Sequence, residues 1–119
     1  LEVWKLSHEM VLDVYRLSNS FPDHEKFRLT GQLCRAACSV PANIVEGNAR
    51  YSRKEYIQIL MIARASLEEA RYHGLLARDL QYIELSDYDQ FEAKAERISR
   101  MLNSFIRSLR VKGSRDTEK

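Results

Sequence analysis

Cys34 and Cys38 lie four residues apart, which puts both sulfurs on one side of a helix. A zinc site built on them needs two further ligands at matching spacing. His24 stands at the far end of the same predicted helix, and His8 and His73 have no paired spacing with either cysteine. The pair therefore reads as two small packing residues of a reducing compartment. Among the carboxylates, Glu46 lies near a predicted helix end, and Glu68 and Glu69 face different directions. No Glu-x-x-His pair occurs, so the di-iron bundle signature is missing. There is no nucleophile set beside a base and no phosphate-cradling loop. The residues give no reason to expect an enzyme, a metal or a cofactor.

The cations offer more. Arg97, Arg100, Arg107 and Arg110 fall within an arc of roughly 140° when placed on a helix at 100° per residue. Such a stripe can track phosphates. It can equally be a solvated face, cross-paired to Glu92 and Glu96 and favoured by the negative end of the helix dipole. Lys112 and Arg115 carry the positive charge onward, and Arg50, Arg53 and Lys54 form a second small basic group at a predicted turn. The net charge of +2 is too small to decide between these readings.

Helices must position all of these groups. Val3, Met10, Val14, Leu17 and Phe21 form a stripe over residues 2–21, with Leu6 beside it and Trp4 and Val11 widening the face. Pro22 ends this first helix by disfavouring helical geometry in the residue before it. The second helix is expected over about 25–49, with Leu29, Leu33, Ala36, Val40, Ile44 and Gly47 inward and Gly47-Asn48 as the cap region. Pro41 falls inside it, and the unbroken apolar phase predicts a kink there. Asn43 and Glu46 are expected to satisfy backbone groups freed at that kink.

Ser52-Arg53-Lys54-Glu55 matches a capping box and opens a third helix over about 53–81. Tyr56, Leu60, Ala63, Leu67, Ala70, Gly74 and Ala77 are its stripe, rich in small residues that let a neighbour approach closely. Ile57, Ile59, Ile62 and Leu76 lie off that stripe and predict a further partner surface. Ser86 to Asp89 is a plausible cap for the fourth helix, whose seam is Phe91, Ala95, Ile98, Leu102, Phe105 and Leu109. From about residue 111 the chain is polar and expected to fray.

The expectation is one all-α domain over residues 1–119, an antiparallel up-down-up-down four-helix bundle with its second helix kinked at Pro41. Apolar residues make up 45% and charged residues 30%, which excludes a disordered chain. No run is long enough to cross a membrane, and the start of the chain has no signal-peptide pattern, so a cytoplasmic protein is expected.

The central stretch carries Gln32-Leu33, Arg35-Ala36-Ala37, Ser39-Val40-Pro41, Asn43-Ile44 and Glu46-Gly47, then Ser52 to Tyr56, Ile62-Ala63-Arg64, Ser66-Leu67 and Glu69. With Val3-Trp4, Ser20-Phe21-Pro22 and Leu109, this run resembles a family of small bundle proteins first noticed as open reading frames in intervening sequences of bacterial 23S rRNA genes. Cys34 departs from the pattern where a basic residue is usual, Val45 where a small one is, and Ala65 where glycine is. The resemblance implies a four-helix bundle assembled into a ring-like homopentamer, without enzymatic activity. It also implies distant kinship with accessory proteins of reverse transcriptases in diversity-generating retroelements, where a basic surface contacts nucleic acid and the polymerase.

Two functions follow as expectations. One is an oligomeric accessory protein that binds RNA, or DNA, through Arg97, Arg100, Arg107 and Arg110 together with Arg50, Arg53 and Lys54. The other is a protein-interaction hub in which those cations are solvated surface.

Overall fold

The computed structural model describes residues 1–118, with side chains as far as Gly113. Four helices follow one another: α1 (Glu2–Ser18), α2 (Leu29–Asn48), α3 (Arg53–Asp79) and α4 (Leu85–Glu118), with a single 3-10 turn at Asp23–Glu25. No strand occurs among the described residues. Each helix packs on its two neighbours, in the order α1, α2, α3, α4 and back to α1, while the diagonal pairs stay apart.

The contacts between helices fix their directions. Tyr15 and Ser18 of α1 meet Cys38 and Cys34 of α2, so residue number falls along one helix as it rises along the other. Ser39 meets Ser66 and Asn48 meets Tyr56, and Arg64 meets Asn103 and Arg71 meets Glu92, in the same crossed order. Asp13 meets Lys94 while Leu1 and Val3 line one groove with Arg100 and Ser108, which closes the set. The bundle is antiparallel throughout.

The buried stripes are largely those expected. Val3, Leu6, Met10 and Val14 of α1 are buried, as are the whole stripe of α2 and that of α3 from Leu60 to Ala77. Tyr56 is half-buried and meets Phe105 edge-on, with ring centroids 5.3 Å apart. On α4 the inward residue is Ile106, 1% exposed, while Phe105 is displaced to the rim. The two positions flank the core direction, and the Phe105 ring packs at the edge, against Tyr56.

Element ends differ more. α1 stops at Ser18, not Phe21, because Ser18 and Ser20 turn their hydroxyls back onto the carbonyls of Tyr15 and Leu17 and compete with helical continuation. Phe21 is buried all the same, from the loop. α2 begins at Leu29 after the 3-10 turn and runs unbroken through Pro41. Asn43 Nδ2 bonds the carbonyl (2.7 Å) and hydroxyl (2.9 Å) of Ser39, not the Ala37 carbonyl that Pro41 leaves without its helical donor. Glu46 pairs with Arg50 on the surface and takes no part there.

The C-cap is Ala49, one residue beyond the expected Gly47-Asn48. Gly47 is buried in the last turn of α2, and a Cβ there would come within 2.7 Å of the Tyr56 ring. α3 ends at Asp79, two residues early, in a bond pattern in which Tyr82 N–H reaches Ala77 O and Gln81 N–H reaches Arg78 O, both at 2.9 Å. This is a Schellman closure, and Gln81 takes the left-handed conformation it needs (φ 63°) without being glycine. α4 begins at Leu85, one residue before Ser86, and its backbone continues helical to Glu118, past the expected start of fraying.

Candidate nucleic-acid interface

α4 presents its arginines to solvent because its opposite face carries Phe91, Ala95, Ile98, Leu102 and Ile106 into the core. Arg97, Arg100, Arg107 and Arg110 are all exposed. They do not act as one unbroken stripe. Arg100 is engaged by Glu96 one turn back at 2.8 Å. Arg97 borders a cleft of about 380 Å³ between α1 and α4, beside Asp13, Arg16 and Lys94. In that cleft Asp13 holds Lys94 at 2.6 Å and Arg16 at 2.7 Å. Burial raises the Asp13 carboxyl, but the bonds from Lys94 and Arg16 outweigh it and leave the group below its usual value. Arg110 rests on the Met61 sulfur of α3 at 3.6 Å. Glu92, the other expected partner, is taken instead by Arg71 of α3.

The turn between α2 and α3 supplies the second group. Ser52 Oγ accepts the Glu55 N–H at 3.0 Å, so the serine half of the capping box is made. Tyr56 reaches back across the turn to Asn48 at 3.4 Å. Arg50 is paired with Glu46, Lys54 is exposed, and the Arg53 side chain passes beside Gly113 of α4. The antiparallel arrangement therefore brings Arg50, Arg53 and Lys54 to the bundle end that also carries Arg107, Arg110 and Lys112. Arg97 and Arg100 sit about 15 Å further along α4 from Arg107 and Arg110, at 1.5 Å per residue. The Arg115 side chain lies outside the described residues.

Tyr51 belongs to the same place and escaped sequence reasoning. It stands between Arg50 and Arg53 and its side chain is fully exposed, at 106% of the reference value. The signal was present as an aromatic residue inside a basic turn, but spacing alone does not show which way a loop ring points.

Cys34 and Cys38 are free and half-buried, each sulfur near a hydroxyl, and burial pushes the Cys34 thiol up, away from reactivity. His8 stacks on Trp4, His24 faces Glu25, and His73 is buried in α3 with a 3.5 Å contact to Glu69 and its ring tilted against Tyr72. Among the described residues no group of three or more His, Cys, Asp or Glu side chains could hold a metal ion. No helix of the described residues is long and apolar enough to cross a membrane.

The fold and surface together define an all-helical bundle whose exposed chemistry is a cationic end. The match to the sequence model of the 23S rRNA-intervening sequence protein family spans residues 1–104, and the chain belongs to that family. It is similar to the crystal structure of a protein of unknown function from the S23 ribosomal protein family of Bacteroides thetaiotaomicron VPI-5482. The TM-score is 0.81 and the identity 28%, over 87% of this chain and 97% of that one. No curated protein matches the chain.

Proposed function

We propose that this protein is a non-enzymatic, oligomeric nucleic-acid-binding accessory protein of the cytoplasm, with RNA as its ligand. The observation that supports this reading is the gathering of cations from two separate elements at one bundle end. Arg50, Arg53 and Lys54 come from the α2–α3 turn, and Arg107, Arg110 and Lys112 from α4. Glu2, Glu46 and Glu55 are the acids near them among the described side chains, and Glu2 is paired with Lys5 and Glu46 with Arg50. Arg97 and Arg100 extend the cationic surface along α4. A homopentameric ring would repeat the patch and turn weak phosphate contacts into useful avidity. The family resemblance supports that ring, and the exposed Leu12, Tyr15, Val45, Ile62 and Tyr72 supply apolar surface for contacts between copies.

A second reading is a protein hub, and the same exposed apolar residues favour it. Ile62 and Tyr72 are 53% and 59% exposed on α3. There the partner is a protein, a reverse transcriptase or another, and the arginines are solvated surface.

Light scattering of the purified protein at low and high salt, with the ratio of nucleic-acid to protein absorbance, tests both. A pentamer carrying nucleic acid that salt strips away supports the first reading. A clean pentamer supports the hub. A monomer overturns both.

A further inference from the structure

Tyr51 is set up differently from the other exposed aromatic residues. Its ring has no described hydrogen bond, stacking or cation contact and stands wholly in solvent. Leaving a large ring there gains nothing for folding, since no apolar area is removed from water. Yet the turn that carries it is held from both sides. Ala49 and Arg50 N–H groups bond back to Glu46 and Gly47 carbonyls at 3.1 Å, and Ser52 caps α3. The ring is thus a free surface on a fixed mount, between Arg50 and Arg53 in sequence and at the bundle end that carries Lys54, Arg107, Arg110 and Lys112.

Phe27, also exposed, is a useful contrast. Lys26 Nζ lies over its ring at 5.4 Å, so one face is occupied. It sits at the opposite end, which it shares with the acids Asp23, Glu25, Asp79 and Glu84. Lys26, Arg28 and Arg78 stand among those acids, so charges of both signs meet at that end, whereas cations predominate around Tyr51.

We infer that Tyr51 is a stacking platform for an unpaired base of single-stranded nucleic acid, whose flanking phosphates lie on Lys54, Arg107 and Arg110. This rests on the nucleic-acid reading above and names the form of ligand. A tyrosine face stacks on any base, but only on one not already stacked within a duplex. The neighbouring cations supply the sequence-independent phosphate attraction.

The test is fluorescence anisotropy at low salt with a labelled ten-nucleotide single-stranded RNA and the same strand in a duplex. Wild type is compared with Tyr51→Ala, Tyr51→Phe and Lys54→Ala. The inference expects wild type to favour the single strand. Tyr51→Ala should lose about 5- to 150-fold in single-strand affinity with the salt slope unchanged. Tyr51→Phe should bind like wild type, since the ring and not the hydroxyl stacks. Lys54→Ala should lower the salt slope. Single-strand binding that survives Tyr51→Ala overturns the inference and leaves the nucleic-acid reading standing. Equal binding of duplex and single strand does the same. No binding of either RNA by wild type overturns both. A change of assembly mass in Tyr51→Ala by light scattering makes Tyr51 an interface between copies and overturns the inference alone.

Discussion

The hydroxyl of Tyr82 donates to Oε2 of Glu25 at 2.8 Å across 57 residues of sequence, tying the α3–α4 connection to the entrance of α2. The other carboxylate oxygen, Oε1, accepts the Leu29 N–H at 3.4 Å, one of the donors left open at the start of α2. Ser20 adds a bond to the Tyr82 carbonyl at 2.9 Å, and Phe21 lies against the Tyr82 ring. The α1–α2 and α3–α4 connections are thereby joined at one bundle end.

This pair makes stability depend on pH in a stated direction. The Tyr82 bond, followed by the Leu29 N–H and the charges of His24 and Arg28, holds the Glu25 carboxyl below its usual 4.5 against the opposing effect of burial. A depressed carboxyl contributes stability that is fully present above its unfolded value and is lost as pH falls through the folded one. Thermal unfolding should show the melting temperature of wild type falling more steeply below about pH 4.5 than that of Glu25→Gln. The Glu25 bond also raises Tyr82 above its usual 10.0, so at the alkaline end its contribution is lost as pH rises beyond that value. Tyr82→Phe should flatten both limbs.

Gly74 should not accept a methyl group. A Cβ there would fall well inside contact distance of the Phe91 ring, which is 3% exposed and cannot swing away. Alanine gains up to about 1 kcal/mol of helix propensity, but overpacking costs about 1–3 kcal/mol. Gly74→Ala is therefore expected to be destabilised by about 1–2 kcal/mol in urea unfolding with an unchanged m-value. An increase in stability would show that the α3–α4 contact is looser than the geometry here.

Gln81 should accept glycine. A non-glycine residue in the left-handed region costs about 1–2 kcal/mol, and its side chain is exposed. Gln81→Gly is expected to stabilise the bundle by about 1 kcal/mol, roughly 4 °C in melting temperature. Equal melting temperatures would mean that other contacts of the connection set this backbone angle.

The cations should not contribute equally to RNA binding. Arg50 is already neutralised by Glu46 and Arg100 by Glu96, whereas Lys54 has no described ion pair. Arg50→Ala is expected to weaken RNA binding less than Lys54→Ala. Reversing Arg107 and Arg110 to Glu should lower the slope of log affinity against log salt by about two, near one per lost phosphate contact. Under the hub reading, capture of the protein partner is unchanged by those reversals.

The sequence by itself determined the helices and their inward faces. Residues such as Leu33, Val40, Leu67, Ala70, Ile98 and Leu102 are buried where their spacing places them, because a 3.6-residue period leaves an amphipathic helix one face to hide. Ser52 shows the same at a helix end, since capping is a contact between residues three apart. What only the tertiary structure decided are relations between distant residues. That the Tyr56 ring closes on Gly47 is such a relation, and Gln81 conceals a Schellman closure because it is not glycine. Glu25 becomes a clamp only when Tyr82 arrives. The candidate interface follows the same rule. Its cations were visible as two separate groups. Their meeting at one end with an outward Tyr51 depends on helix direction and on the path of a turn, and these are set by packing between elements.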